Sequence, residues 1–249
     1  MIPNPIRKVL SSMREHRVRA LLMGGQACVF YGAAEFSRDT DFAILASPAN
    51  LARLKRALTG LRAELIAIPP FAAKFLLRGH ALHFRCQHPE AAGLRVDVMT
   101  RMRGVEPFPK LWKRRTTLAL PDGLVCDLLS LPDLVQAKKT QRDKDWPMLR
   151  RLVEAHYFEH QARPRPAHVR FWLQELRTPE LLCATASRHA AATRRMMLRR
   201  PLLKLALGGD SAALAAALAG EEQGERAADA AYWKPLRAEL EALRHARLK

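Results

Sequence analysis

Apolar residues recur at helical spacing from the start of the chain. Ile6, Val9, Leu10 and Met13 fall at i, i+3, i+4 and i+7, which predicts an opening amphipathic helix. The pattern then shifts to short unbroken apolar runs. Ala20-Leu21-Leu22-Met23 reads as a buried strand that stops at Gly24-Gly25, where a tight turn is expected. Residues 26–31 continue as a short helix ending near Gly32, and residues 40–45 read as the next strand. Ser47-Pro48 supplies a hydroxyl N-cap followed by proline at the first helical position. Leu51, Leu54, Leu58 and Leu61 then mark one face of a helix over 49–61. Residues 65–68 suit another strand, closed by Pro69-Pro70. Residues 81–86 and 94–99 flank a turn-rich segment, 88–93, and predict an antiparallel hairpin. The first 100 residues thus mix strands and helices in one α/β unit.

From Cys126 the strand signal disappears. Ser130-Leu131-Pro132-Asp133 fits the S-x-x-(D/E) start signal, and periodicity carries the predicted helix to about Glu154. Residues 160–166 read as a linker, because Pro164 and Pro166 block a helix. Ala/Leu/Arg-rich helical segments follow, with breaks expected at Pro201, Gly208-Gly209 and Gly220. The division is an α/β domain over 1–125, a helical extension over 126–160 and a helical C-terminal region over 161–249.

Charge sharpens this picture. The 249 residues carry 42 Lys and Arg against 24 Asp and Glu, a formal +18. Residues 1–120 hold 20 basic and 8 acidic side chains, so the excess is concentrated in the first half. Such a balance points to an acidic partner such as RNA, DNA or nucleotide phosphate, with an arginine-rich solvated surface as the other reading. No run approaches about eighteen apolar residues, so no membrane-spanning helix is expected. The start has charges every few residues rather than a secretory pattern, and a cytoplasmic protein is expected. Cys28, Cys86, Cys126 and Cys183 form no C-x-x-C pair, which argues for reduced, mostly buried thiols.

One constellation carries chemistry: Met23-Gly24-Gly25, thirteen residues, then Asp39-Thr40-Asp41-Phe42. Carboxylates at i and i+2 of a strand point to the same face, about 7 Å apart. Like charges so placed are disfavoured unless a cation or solvent intervenes. Hard oxygen ligands on one face, completed by substrate phosphate, describe a Mg²⁺ site. Two glycines let the backbone approach phosphate oxygens closely.

These residues resemble the hG(G/S)…Dh(D/E)h signature of the polymerase-β-like nucleotidyltransferase superfamily. The string GGQACVFYGAAEFSRDTDFAIL is especially similar to its minimal and toxin–antitoxin-associated bacterial branches. The resemblance implies an α/β (α+β) nucleotidyltransferase-fold domain over 1–125, a mixed sheet with flanking helices, and transfer of an NMP from an NTP, ATP among the candidates, to a hydroxyl acceptor. It also implies two divalent ions, Mg²⁺ or alternatively Mn²⁺. Asp39, Asp41 and a third acid on a later strand, Asp97, would be the catalytic metal ligands. Gly24 and Gly25, with Ser37 and Arg38, would contact phosphate. Two departures stand out. Thr40 replaces the usual apolar residue between the acids, and Glu35 stands where close relatives carry Arg.

Lys138, Arg142 and Asp145 fall at i, i+4 and i+7, one face of the predicted helix. A charge run of this kind is commonly a solvated salt-bridging face. The resemblance instead implies a 126–160 extension packed on the active site, with Lys138 and Arg142 toward the triphosphate and Asp145 orienting them. The acceptor could be RNA, a tRNA end in particular, a protein hydroxyl or a small molecule; the charge favours RNA. A toxin–antitoxin partner is also implied. The alternative is a catalytically silent nucleotidyltransferase-like module that binds nucleotide or nucleic acid, as a regulatory or antitoxin component. His80, His83, Cys86 and His88 read as incidental to the hairpin. Trp112-Lys113-Arg114-Arg115 and the stretch Arg194-Arg195-Met196-Met197-Leu198-Arg199-Arg200 are candidate contacts to nucleic-acid phosphates, or basic helix faces.

Overall fold

The computed structural model describes residues 4–120 and 123–247. They divide into two compact units. One runs to Ala137 and takes in the chain from Tyr232 on, and the other is Lys138–Ala231.

The first unit is built on a seven-stranded mixed sheet. Its strands are β1 (Ala20–Met23), β2 (Asp39–Ile44), β3 (Glu64–Leu65), β4 (Leu82–Arg85), β5 (Arg95–Met99), β6 (Thr116–Ala119) and β7 (Val125–Leu128). They lie in the order β3-β4-β5-β2-β1-β7-β6. The pairs β2/β5 and β1/β7 are parallel and the others antiparallel. The flanking helices are α1 (Asn4–Glu15), α2 (Gly24–Phe30), α3 (Pro48–Gly60), α4 (Ala73–Arg78), α5 (Phe108–Lys113) and α6 (Leu131–Ala137).

The periodicities explain most of this. α1 buries Ile6, Val9, Leu10 and Met13, and Ser12 on the same face donates to the Ala57 carbonyl on α3 at 3.1 Å. At the start of α3, the Ser47 hydroxyl accepts from Asn50 N–H as expected of an N-cap. Asn50 is 1% exposed yet fully used. Its Oδ1 accepts from Arg19 N–H, and its Nδ2 donates to the Arg19 and Leu45 carbonyls, pinning α3 to the ends of β1 and β2. A buried amide with every bond made specifies position as well as stability. The predicted hairpin is β4–β5, with Arg85 opposite Arg95.

Four expectations for the chain up to residue 154 need correction. The strand over 65–68 shrinks to the two residues of β3: its backbone pairing ends at Ile66, and prolines 69 and 70 have no N–H to extend it. The chain after Cys126 is not helical at once, because β7 alternates with Cys126 and Leu128 buried, and Leu128 pairs with Leu22. Residues 126–137 therefore belong to the sheet-bearing unit rather than to a separate extension. The helix expected from Leu131 to about Glu154 breaks over 138–144, where the side chains of Thr140 and Asp145 capture backbone and side-chain donors that a continuous helix would not need.

The second unit contains only helices: α7 (Asp145–His160), α8 (Pro166–Glu175), α9 (Pro179–Arg188), α10 (Ala190–Met196), α11 (Leu203–Gly208) and the first part of α12 (Ser211–Arg247). Residues 160–166 form a short α7–α8 turn inside this unit, with Pro166 at the first position of α8. Breaks fall near Pro201 and after Gly208, where Gly209 is left-handed with φ of 75°. Gly220 breaks nothing and lies inside α12, whose length outweighs the propensity cost of one glycine. Among the described residues no helix is long and apolar enough to cross a membrane. No disulfide joins the four cysteines, three of which are buried.

Candidate active site

Strand register gathers the acids. Asp41 on β2 is the partner of Asp97 on the parallel neighbour β5 and of Met23 on the antiparallel neighbour β1. In-register neighbours point to the same face about 4.8 Å apart, and Asp39 shares that face by its spacing of two. The opposite face is apolar and closed: Phe42, Val96 and Val98 are 2% exposed or less, and Thr40 is fully buried. The Thr40 hydroxyl donates to the Arg95 carbonyl at 3.2 Å, so its polarity is satisfied where an apolar residue was expected. One face of β2 and β5 thus holds core, and the other holds Asp39, Asp41 and Asp97.

The double glycine closes on this face. β1 runs directly into α2, and Gly24 takes φ of +66° at the junction. A Cβ added to Gly24 would lie 1.8 Å from Asp41 Oδ2, and one added to Gly25 would lie 2.7 Å from the Ser37 hydroxyl. Any side chain at Gly24 would occupy the space the Asp41 carboxylate uses. Ser37 is half-buried and donates to the Asp39 carbonyl at 3.0 Å, which fixes the chain as it enters β2. Arg38 and Glu35 are exposed.

Two further residues complete the cluster. Arg95, in register with Asp39, donates from Nε to Asp97 Oδ1 at 2.8 Å. His83 on β4, the register partner of Asp97, places Nδ1 2.9 Å from the same oxygen and 2.9 Å from Arg95 Nη2. One ring nitrogen cannot serve both partners at once: protonated it donates to Asp97, and unprotonated it accepts from Arg95. Burial pushes the Asp97 carboxyl up, but the bonds from His83 and Arg95 outweigh it and hold the group below the usual carboxylate range. Arg95 is driven the other way by its bond to Asp97 and by the charges of Asp97, Asp39 and Asp41. Both contacts to Asp97 use Oδ1. Oδ2 is therefore the oxygen left for a cation.

Lys138 and Arg142 belong to the second unit. Although the predicted helix face does not exist, the three residues still meet. Asp145 Oδ1 accepts from Lys138 Nζ at 2.9 Å, and Oδ2 accepts from Arg142 Nε at 2.7 Å and from the Thr140 hydroxyl at 2.6 Å. Asp145 is 1% exposed, and these donors hold its carboxyl below the usual range although burial opposes them. Both basic residues are thus ion-paired to the acid expected to orient them. In the Trp112 segment, Arg114 pairs with Asp133 and Arg115 with Asp127, so two of its three cations are engaged internally.

His83, read as incidental to the hairpin, meets Asp97 through cross-strand register, which one strand's residue pattern cannot supply; Arg95, not singled out, reaches Asp97 from two residues away on the same strand, a spacing visible in Arg95-Val96-Asp97. Sequence reasoning also missed His156, His160 and His168. Among the described residues these three alone form a His, Cys, Asp or Glu group with ligand atoms all within 4.8 Å of one another, and the three aspartates do not close to that distance. The H-x3-H spacing on α7 was the available signal. Hydrogen bonds give two of these rings structural work: Trp172 Nε1 donates to His156 Nδ1 at 2.9 Å, and His168 Nδ1 accepts from Arg165 N–H at the start of α8.

The structure has cavities of about 440 and 330 Å³, neither lined by Asp39, Asp41 or Asp97. No protein-family model and no curated protein matches this chain.

Proposed function

We propose that this protein is a Mg²⁺-dependent nucleotidyltransferase that moves an NMP from an NTP to a hydroxyl acceptor, with RNA favoured. The observation that carries the reading is the register pairing of Asp41 with Asp97 beside a glycine whose missing Cβ makes room for the Asp41 carboxylate. The donor chemistry suits a divalent cation, since three carboxylates of one face supply hard oxygen ligands and Oδ2 of Asp97 lies outside its bonds to Arg95 and His83, but the three would have to draw closer than they stand to share an ion. Asp39, Asp41 and Asp97 would hold the metal. When bound, it supplies charge neutralisation at the phosphates and lowers the pKa of the attacking hydroxyl.

The chain's own residues divide the remaining work. Gly24 and Gly25 bring backbone rather than side chain to the acid face, which leaves space for phosphate oxygens. The exposed Arg38 lies at the entry to β2, where it can donate to the triphosphate, while the Ser37 hydroxyl, its proton given to the Asp39 carbonyl, holds that entry in place. Arg95 and His83 keep Asp97 ionised and in one orientation. The +18 charge supports a polyanionic acceptor, because a small acceptor needs no such surface.

A silent nucleotide-binding module is the second reading, favoured by the hold of Arg95 on Asp97. The test incubates the protein with each NTP labelled at the α-phosphate, Mg²⁺, and cellular RNA, protein or small-molecule pools. Label in one pool identifies the acceptor; Mg²⁺-dependent NTP binding with no label transferred to any pool supports the silent reading.

A further inference from the structure

The cavity of about 440 Å³ lies wholly within the helical unit and is lined mostly by cations. Its buried part presents Lys139, Arg177 and Arg200, each 8% exposed or less, and its outer part presents the exposed Arg170, Arg195 and Arg199. These residues come from separate segments: the loop before α7, α8 and the turn after it, α10, and the turn leading to α11. Three of the four arginines of the basic stretch 194–200 thus face this cleft.

The buried cations differ in how well they are satisfied. Lys139 Nζ is 2.9 Å from Glu175. Arg200 donates to the Leu173 and Leu176 carbonyls and makes a forked pair with Glu221, its closest contact at 2.8 Å. Arg177 has the poorer share of that carboxylate, one contact from Nη1 at 3.4 Å, and its buried Nε has no hydrogen-bond partner. Burial and the neighbouring Arg200 both lower its affinity for its proton. Trp146 holds its guanidinium in place, with the ring centroid 4.9 Å away.

A buried guanidinium with an unmade N–H bond, at the bottom of a cleft with three more arginines outside it, calls for an anion. Forked N–H groups match the oxygens of phosphate, and a multiply charged group is needed to compete with Glu221 and Glu225, which also line the cleft. We propose that this cleft is a phosphate-binding site, in which Arg177 Nε and the outer arginines receive phosphate oxygens. The volume exceeds what one phosphate fills, so the ligand carries either adjacent phosphates or a phosphate with its nucleoside. Every residue of this site belongs to the helical unit, so the site stands independently of the function proposed for the aspartates.

The test uses the full chain, with binding followed by calorimetry. Inorganic tripolyphosphate and a single-stranded RNA oligonucleotide are the two probes, each titrated into wild type, Arg177→Gln, and the double variant Arg195→Ala/Arg199→Ala. The exposed double variant keeps the result interpretable if the buried substitution fails to fold. We expect at least one probe to bind wild type, and the double variant to lose affinity and, for RNA, to lower the salt slope by about 2. Tripolyphosphate binding without RNA binding identifies a free polyphosphate as ligand, and the reverse identifies strand phosphodiesters. Failure of both probes to bind, or affinities unchanged in the double variant, overturns the proposal. Transfer activity at the aspartates is a separate readout, so the two claims can fail independently.

Discussion

Gly24 and Asp41 occupy complementary space: a Cβ on the glycine would fall 1.8 Å from the carboxylate oxygen. Gly24 also holds φ of +66°, so any replacement meets both a clash and a strained backbone. Gly24→Ala should therefore destabilise the fold by roughly 1–3 kcal/mol and push Asp41 off the acid face. Urea titration measures the first effect. Loss of divalent-cation binding by the folded variant measures the second, and retention of wild-type cation affinity would contradict this placement of Asp41.

Asp145 is a carboxylate of the helical unit, 1% exposed and held by Lys138, Arg142 and Thr140. Replacing it by Ala leaves Lys138, whose side chain is 11% exposed, as a charge without its acceptor. Breaking a buried pair from one side typically costs about 3–5 kcal/mol, whereas replacing both partners by apolar residues costs less. Asp145→Ala should thus be more destabilising than the double variant Lys138→Met/Asp145→Leu. Equal losses in denaturant titrations would mean that the pairing contributes little.

Acid sensitivity should begin at His156. Burial, followed by the neighbouring His160 and His168, lowers its pKa from 6.5 to about 4. The unfolded chain takes up this proton near pH 6.5 and the folded chain only near pH 4, so the protein keeps full stability above that window and loses it as pH falls through it. The carboxyls of Asp145 and Asp97, held below their ordinary value of 3.8, extend the loss to lower pH. Urea midpoints measured from pH 7 to pH 4 should decline, and His156→Gln should flatten that decline. A wild-type profile without slope between pH 6.5 and 4 would contradict the burial of a neutral ring.

Gly220 and Gly224 lie inside α12 with open space where a Cβ would go. Gly220→Ala should stabilise the protein by about 0.5–1 kcal/mol, since a helix-interior glycine gives up backbone entropy without a compensating close approach. Thermal melts of the single variant check this; destabilisation would mean that the helix is interrupted there.

Elements whose signals are local were legible in the sequence. The α1 stripe, the Ser47 cap and the runs forming β1, β2 and the β4–β5 hairpin all follow from spacing and turn residues. β7 escaped because four residues containing Asp127 give too short an alternation to stand out without its partner β1. The break over 138–144 escaped because Thr140 and Asp145 act through side-chain bonds that helical periodicity does not register. In the candidate site, same-face placement of Asp39 and Asp41 followed from period two, and Asp97 was found as the acid within an apolar strand. His83 emerges only when β4 and β5 are aligned, since it meets Asp97 across strands, whereas the Arg95–Asp97 contact runs along β5 itself and was open to the same period-two reading as Asp39 and Asp41.

The most direct test of the central claim is a transfer assay with the same NTP labelled at either the α- or the γ-phosphate, in the presence of Mg²⁺ and the acceptor pool. Wild type should place α-label on the acceptor and release γ-label as pyrophosphate, and folded Asp41→Asn should do neither. Transfer of γ-label to the acceptor, or undiminished α-label transfer by folded Asp41→Asn, would contradict the assignment.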